Sequence, residues 1–250
     1  MNRRKIIWLV IISLSAVAGL IYFANNWSNK IYADKITVKG NTTISEEEIL
    51  KAAGIKRDSV LNLDDINYLF IRDRILKHPE VKKVVVSKES PSELIIEITE
   101  KRPVAVVVKN SELFLIDDEY EIFSFKNFEK VYDLPVINGL KQENDPDYKK
   151  DLRSALNLIK AAYSKGKSLQ NLISEVNVSD SEKLVINTND HSAIFYFPRA
   201  ESGSDEKEMF NEKLNLFKKF FDEEIMRKNL KFEYVDLRFS NQIIAKLKSI

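Results

Sequence analysis

Few residues in this chain have the type and spacing that chemistry requires. Its 250 residues include two histidines, His78 and His191, and no cysteine. His78 precedes Pro79, and neither histidine has a second ligand at metal-site spacing. Without cysteine there is no thiol nucleophile and no disulfide framework. No serine stands in a nucleophile motif with a histidine or lysine base. Asp117, Asp118 and Glu119 are adjacent carboxylates, the raw material of acid–base work. They read instead as a solvated turn, because such work needs burial that moves a pKa. Lys77, Lys82 and Lys83 cluster loosely around Glu80 and read as a solvated face. Six glycines leave little room for a phosphate-cradling loop. No catalytic residue, cofactor or metal is expected.

Arg238, near the C-terminus, is open to a functional role. From pattern alone Arg238 fits the outer face of a strand equally well. Val235, Leu237 and Phe239 alternate, so Phe239 also fits a core. Beyond a Ser240-Asn241 turn, Ile243, Ile244, Ala245 and Leu247 make an apolar strand. It is expected at a sheet edge, where unpaired backbone groups template another chain. Lys and Arg total 39 against 38 Asp and Glu, a net charge of +1. That balance gives no field to gather nucleic acid. Neither nucleic acid nor a small-molecule substrate is expected as a partner.

The elements that must position these residues follow from periodicity and caps. Lys35–Lys39 alternates as a strand, closed by Gly40-Asn41. Ser45 and Glu48 predict a capping box. The helix it opens carries Ile49, Leu50 and Ala53 and stops at Gly54. A second helix is expected from about Asp64 to Lys77, with Ile66, Leu69, Asp73 and Leu76 near one stripe. Pro79 ends it. Val81–Ser87 and the alternating Leu94, Ile96 and Ile98 predict two strands joined by Ser90-Pro91-Ser92. Strand–helix–helix–strand–strand makes a small layer pair of strands and helices. Glu100-Lys101-Arg102-Pro103 marks its boundary, since proline interrupts ladder pairing.

A mostly β region comes next. Val104–Val108, Leu113–Ile116 and Ile122–Phe125 read as strands, and Leu134–Gly139 as an extended stretch ending in a turn. Tyr148–Ser164 reads as a helix with Leu152, Leu156, Ile159 and Tyr163 on one face. Strands follow at Ile173–Val178, Leu184–Asn187 and Ile194–Phe197, with Asn189-Asp190-His191 at a hairpin tip. A loop at 202–205 leads to a helix from Glu206 to Arg227. Its buried stripe is Phe210, Leu214, Phe217, Phe221 and Ile225. Tyr234–Phe239 and Gln242–Leu247 close the chain. The fold class is α+β.

The N-terminus sets the compartment. Ile6 to Phe23 holds eleven Ile, Leu, Val or Phe residues and no charge. At roughly −0.3 to −0.6 kcal/mol each, these contribute about −3 to −7 kcal/mol toward membrane insertion. As a helix the run spans about 27 Å, close to the roughly 30 Å hydrocarbon core. Ile6, Leu9, Leu14, Leu20 and Phe23 are its anchor residues. Trp8 and Trp27 lie near its two ends, where aromatic rings favour the interface. Arg3, Arg4 and Lys5 should stay cytoplasmic and export the rest. Ala16-Val17-Ala18 offers a signal-peptidase site. However, Gly19-Leu20-Ile21-Tyr22-Phe23 continues the apolar run where a cleavage region would turn polar. A retained single-pass anchor is expected.

Several stretches resemble a known family. Ile36-Thr37-Val38-Lys39-Gly40-Asn41, the Ser45-to-Ile55 helix and Pro79-Glu80-Val81-Lys82-Lys83-Val84 resemble a POTRA domain. Glu100-Lys101-Arg102-Pro103-Val104-Ala105 is similar to the phrase that joins this domain to the next in FtsQ/DivIB cell-division proteins. Leu115-Ile116-Asp117, Leu134–Gly139 and Tyr234–Phe239 resemble that family's second domain. The resemblance implies residues 1–5 as a cytoplasmic tail, 6–24 as a transmembrane helix, 33–101 as the POTRA domain and 102–250 as a mixed β-sheet domain with packed helices. It implies a non-enzymatic divisome scaffold in the bacterial inner membrane, with periplasmic domains at the division septum. The scaffold would recruit and regulate septal wall synthesis, binding FtsB/FtsL-type partners by strand addition at its last strand. The family's contact positions fall on Arg238, Phe239, Ser240, Asn241 and Leu247. Where that turn often contains Gly, this chain has Asn241-Gln242, and Asn tolerates positive φ. Leu247 stands where some relatives carry an aromatic. The alternative is a POTRA-bearing envelope translocation or assembly chaperone. Such proteins usually carry several POTRA units, and one is visible here.

Overall fold

A computed structural model describes residues 3–26, 31–57, 59–89, 91–124, 132–189, 193–200, 205–240 and 242–248. It divides into two units, Met1–Glu100 and Lys101–Ile250. The first opens with α1 (Arg3–Asn26), a helix of 24 residues. The side chains described in it are Ile7, Trp8 and those of residues 10–24, all exposed. Among the described residues, no helix is long and apolar enough to cross a membrane. The side chains of Arg3, Arg4, Lys5, Ile6 and Leu9, and all of Trp27, lie outside the described residues.

The rest of this unit runs β1 (Lys35–Lys39), α2 (Glu46–Ala53), α3 (Tyr68–Ile75), β2 (Val81–Glu89) and β3 (Glu93–Glu100). The sheet order is β1-β3-β2. β3 lies parallel to β1 and antiparallel to β2. Ile49, Leu50 and Ala53 of α2 are buried against Leu94, Ile96 and Ile98 of β3 in one core. The Ser45 side chain accepts from Glu48 N–H at 3.2 Å, and Gly54 caps the other end at φ 75°. Glu48 turns its carboxylate to His78, whose Nε2 lies 2.9 Å away. His78 is buried, and its Nδ1 accepts from Glu80 N–H at 3.3 Å. This histidine is a satisfied core residue.

α3 is shorter than expected, and its buried face differs. Asn67 caps it by accepting from Phe70 N–H at 3.0 Å. The preceding residues form a side-chain-bonded turn instead. Asn62 accepts from Asp64 N–H at 3.1 Å and donates to Asp65, and Asp64 accepts from Ile31 N–H at 3.1 Å. Short polar side chains that bond the local backbone compete with helix. Starting at Tyr68, the helix turns Ile71 and Ile75 inward. Leu69 and Leu76 are exposed, and Asp73 bonds Arg72 at the surface. Of the expected stripe, Ile66 alone packs against the core.

Gly40 ends β1 at φ 81°, where an added Cβ would lie 2.1 Å from the Ile98 carbonyl oxygen. Gly40→Ala therefore combines left-handed strain with a backbone clash. It is expected to destabilise this unit by about 1–3 kcal/mol. Urea unfolding followed by hydrogen exchange in β1 checks this.

The second unit runs β4 (Pro103–Lys109), β5 (Glu112–Asp117), β6 (Ile122–Ser124), β7 (Val136–Asn138), α4 (Tyr148–Ser164), α5 (Lys167–Gln170), β8 (Ile173–Asn177), β9 (Lys183–Thr188), β10 (Ile194–Pro198), α6 (Glu206–Phe220), β11 (Phe232–Asp236) and β12 (Ile244–Leu247). A π-helical turn at Phe221–Met226 extends α6. The strands form one mixed sheet, ordered β12-β11-β10-β9-β8-β7-β4-β5-β6. β7 and β8 are parallel neighbours joined through α4, and β10 and β11 are parallel neighbours joined through α6. Parallel neighbours need such crossovers. Leu152, Leu156 and Ile159 of α4 join Phe210, Leu214 and Phe217 of α6 in one core with Val176, Phe195 and Val235. Phe221 and Ile225 continue the stripe through the π turn. Tyr163 is half-buried and donates to Val104 O at 2.6 Å.

Asp117 corrects the reading of a solvated acidic turn. It ends β5 fully buried, and its Oδ1 accepts from the N–H groups of Glu119 and Glu121, each at 2.9 Å. A short carboxylate mimics backbone and closes the turn from inside. Asp118 and Glu119 are exposed as expected. Phe125, Ser90, residues 190–192 of the hairpin tip and residues 202–204 of the loop lie outside the described residues.

Candidate partner-binding edge

β12 is the last strand of the nine-stranded order. It pairs antiparallel with β11, matching Asp236 to Ile244, Val235 to Ala245 and Tyr234 to Lys246. Its other side borders no strand among the described residues. Lys248 N–H donates to Lys231 O at 3.0 Å. Backbone groups alternate in direction along a strand. Lys246 and Ile244 therefore also aim at β11, while Ala245 and Leu247 present N–H and C=O outward. All four β12 side chains are exposed. Ile243, Ile244 and Leu247 make this edge apolar, and Lys246 pairs with Glu233 across the ladder at 2.7 Å.

The segment between β11 and β12 carries the other expected contact residues. Arg238 does not reach freely into solvent. Its Nε and Nη2 bond the Asp236 carboxylate at 3.0 and 2.8 Å, and its own N–H donates to Asp236 Oδ1 at 3.0 Å. Burial works to raise the Asp236 pKa, but the Arg238 bonds outweigh it and hold it low. The Asp236 hydrogen bond in turn raises the Arg238 guanidinium. Nη1 is the less committed corner, 3.9 Å from Glu182. The Phe239 ring lies under this guanidinium, 6.0 Å from ring centre to Cζ. At 40 % exposure Phe239 is not core, although Val235 and Leu237 before it are fully buried. The strand ends at Asp236, so the alternation does not extend to Phe239. Ser240 is exposed, Leu247 lies on β12, and Asn241 lies outside the described residues.

The structure thus gathers Arg238, Phe239 and Ser240 in one turn, with Leu247 at the far end of the strand that follows. Two participants were missed. Asp236 stands two residues before Arg238, a spacing that puts both on one face of an extended chain. Lys213 interrupts the α6 stripe of Phe210, Leu214 and Phe217, is 5 % exposed, and donates to Phe239 O at 2.7 Å. A lysine inside an apolar stripe was the available signal. Among the described residues, no cluster of His, Asp and Glu could hold a metal.

Comparison with known proteins agrees with this architecture. Residues 33–101 match the family described as "POTRA domain, FtsQ-type", and residues 102–246 match "FtsQ/DivIB, C-terminal related". The chain belongs to the FtsQ/DivIB family. Similar relatives include "Cell division protein FtsQ" of Syntrophotalea carbinolica, 25 % identical over 95 % of this chain and 80 % of that protein. The protein of the same name from Rickettsia bellii is 36 % identical over 36 % of this chain, a third (33 %) of its own length. "Cell division protein DivIB" of Staphylococcus aureus is 26 % identical over 47 % of this chain and 26 % of that protein. As an FtsQ/DivIB protein this chain serves cell division and is not an enzyme.

Proposed function

We propose that this FtsQ/DivIB protein is a membrane-tethered scaffold that holds FtsB/FtsL-type divisome proteins by strand addition on β12, and through them recruits and regulates septal wall synthesis. The observation that carries this reading is the apolar edge of β12, with the outward backbone groups of Ala245 and Leu247. An incoming strand would gain main-chain bonds there, while side chains set its register. Arg238, Phe239, Ser240, Asn241 and Leu247 are its proposed contacts. α1 supports the tether: 24 residues make a helix of about 36 Å, and its described side chains are exposed and uncharged on every side. Such a helix belongs in lipid rather than water. Arg3, Arg4 and Lys5 in its first turn favour a cytoplasmic N-terminus, with residues 33–101 and 102–250 extracytoplasmic at the septum.

Two measurements test this. A fluorescent fusion should gather at the septum of dividing cells, and diffuse envelope signal at all stages counts against the reading. In pull-downs Phe239→Ala should weaken partner capture several-fold, about 1 kcal/mol for one contact aromatic. Arg238→Glu should weaken it more, about tenfold, since it sets a carboxylate against Asp236 and reverses the charge offered to the partner. Unchanged capture in both variants sinks the contact assignment.

A further inference from the structure

We infer that Lys213 is a positioning residue that sets the register of β12, and so the geometry of the exposed edge. Most strands take their register from side chains that must face the core, because a one-residue slip turns the buried set outward. β12 lacks that constraint. All four of its side chains are exposed, so a slip along β11 loses no buried contact. The Lys246–Glu233 pair is itself exposed at both ends and holds weakly. Apart from the irregularity in the ladder between Phe232 and Tyr234, what fixes the strand must come from the chain that delivers it.

That chain is held at three successive residues after β11. Leu237 N–H donates to Tyr196 O at 2.9 Å. Arg238 is clasped by Asp236 through side chain and backbone. Phe239 O accepts from Lys213 Nζ at 2.7 Å. The third hold is the one nearest β12, and it comes from a different element. Lys213 sits on α6 at 5 % exposure, among Phe210, Leu214 and Phe217. An ammonium in such a place is costly unless it is partnered. Its bond to Phe239 therefore resists any shift of the turn that would carry the carbonyl away. The Lys213 side chain thus couples the helix to the turn that leads into the edge strand.

The functional meaning of this latch rests on the partner-binding reading of β12, but its test needs no partner. The chain has no cysteine, so an introduced pair supplies the sole thiols. Tyr234 and Lys246 are register partners, whereas Tyr234 and Ile244 face each other after a two-residue slip. Full-length protein in membranes carries either Tyr234→Cys/Lys246→Cys or Tyr234→Cys/Ile244→Cys, and mild oxidation reads the cross-link yield of each. With Lys213 present the first pair should dominate. Lys213→Met keeps the apolar stem but no donor, and should raise the slipped-to-native yield ratio at least fivefold. Lys213→Arg, which keeps a buried donor, should return the ratio toward the parent. An unchanged ratio in Lys213→Met overturns the inference, as does a change that Lys213→Arg fails to reverse. The ratio is read on the folded molecules that remain, so a fall in abundance does not blur it. A raised ratio with undiminished partner capture would leave the latch standing and count against β12 as the docking edge.

Discussion

Ala245→Pro should abolish most partner capture while leaving this protein folded. The Ala245 N–H faces away from β11, as fixed by alternation from the Lys248–Lys231 bond. Proline there removes a donor that β11 does not use, and proline is tolerated on an edge strand. An added strand, in contrast, meets a missing donor and a ring in its path. Leaving its matching carbonyl unsatisfied costs about 1–3 kcal/mol, roughly five- to 150-fold in affinity. Pull-down of the divisome partner gives the capture, and thermal melting gives the fold. Ile244→Pro is the internal contrast, because its N–H faces β11. It should loosen β12 itself and speed hydrogen exchange at Lys246. Equal effects of the two prolines on exchange, or full capture by Ala245→Pro, would overturn the strand-addition reading.

Loss of the Glu100 carboxylate should be the most damaging single change in the first unit. Glu100 ends β3 almost fully buried. Its two oxygens accept from the N–H groups of Thr42, Thr43 and Ile44 and from both threonine hydroxyls, at 2.6–3.0 Å. Burial by itself would raise its pKa, but these donors lower it from 4.5 to about 2. A depressed carboxylate stabilises the fold fully above its unfolded pKa, and that contribution drains away as pH falls through the folded value. The window is therefore pH 4.5 down to about 2, and the contribution is about 3 kcal/mol. Glu100→Ala should lower the stability of this unit by that order at pH 7, with little difference from the parent near pH 2. Glu100→Gln recovers only part, since its amide nitrogen points a donor at donors. Hydrogen exchange in α2 and β3 of the full chain, followed against pH, measures both. A deficit that stays constant across that window would show that the carboxylate charge is not what the clasp uses.

These two sites show where sequence reading runs out. α2, α4 and α6 were legible because caps and three-to-four-residue periodicity are local signals. Ser45, Gly54 and the Phe210–Ile225 stripe stand where the pattern put them. α3 was misplaced because Asn62 and Asp64 spend their side chains on the backbone, a competition that hydrophobic periodicity does not register. The apolar character of β12 was legible, and its place at the end of the order was an expectation. That order rests on pairings far apart in sequence. Asp117 and Glu100 look like surface carboxylates on paper. Each is buried because donors converge on it, and those of Glu100 lie more than 50 residues earlier in the chain. Lys213 is the same case with the charge reversed.

The parallel pairing of β1 with β3 has a mechanical consequence. Tension along the chain enters the three-stranded sheet at the start of β1 and leaves it at the end of β3. Because these strands run the same way side by side, the pull slides one past the other instead of peeling them apart. The ladder from Lys35–Glu93 to Lys39–Glu97 is loaded all at once. Beyond its last rung, the Glu100 carboxylate grips the Thr42–Ile44 segment that follows β1, a second catch on the same pair. Load carried along the chain would therefore cross this sheet in shear rather than by unzipping it rung by rung.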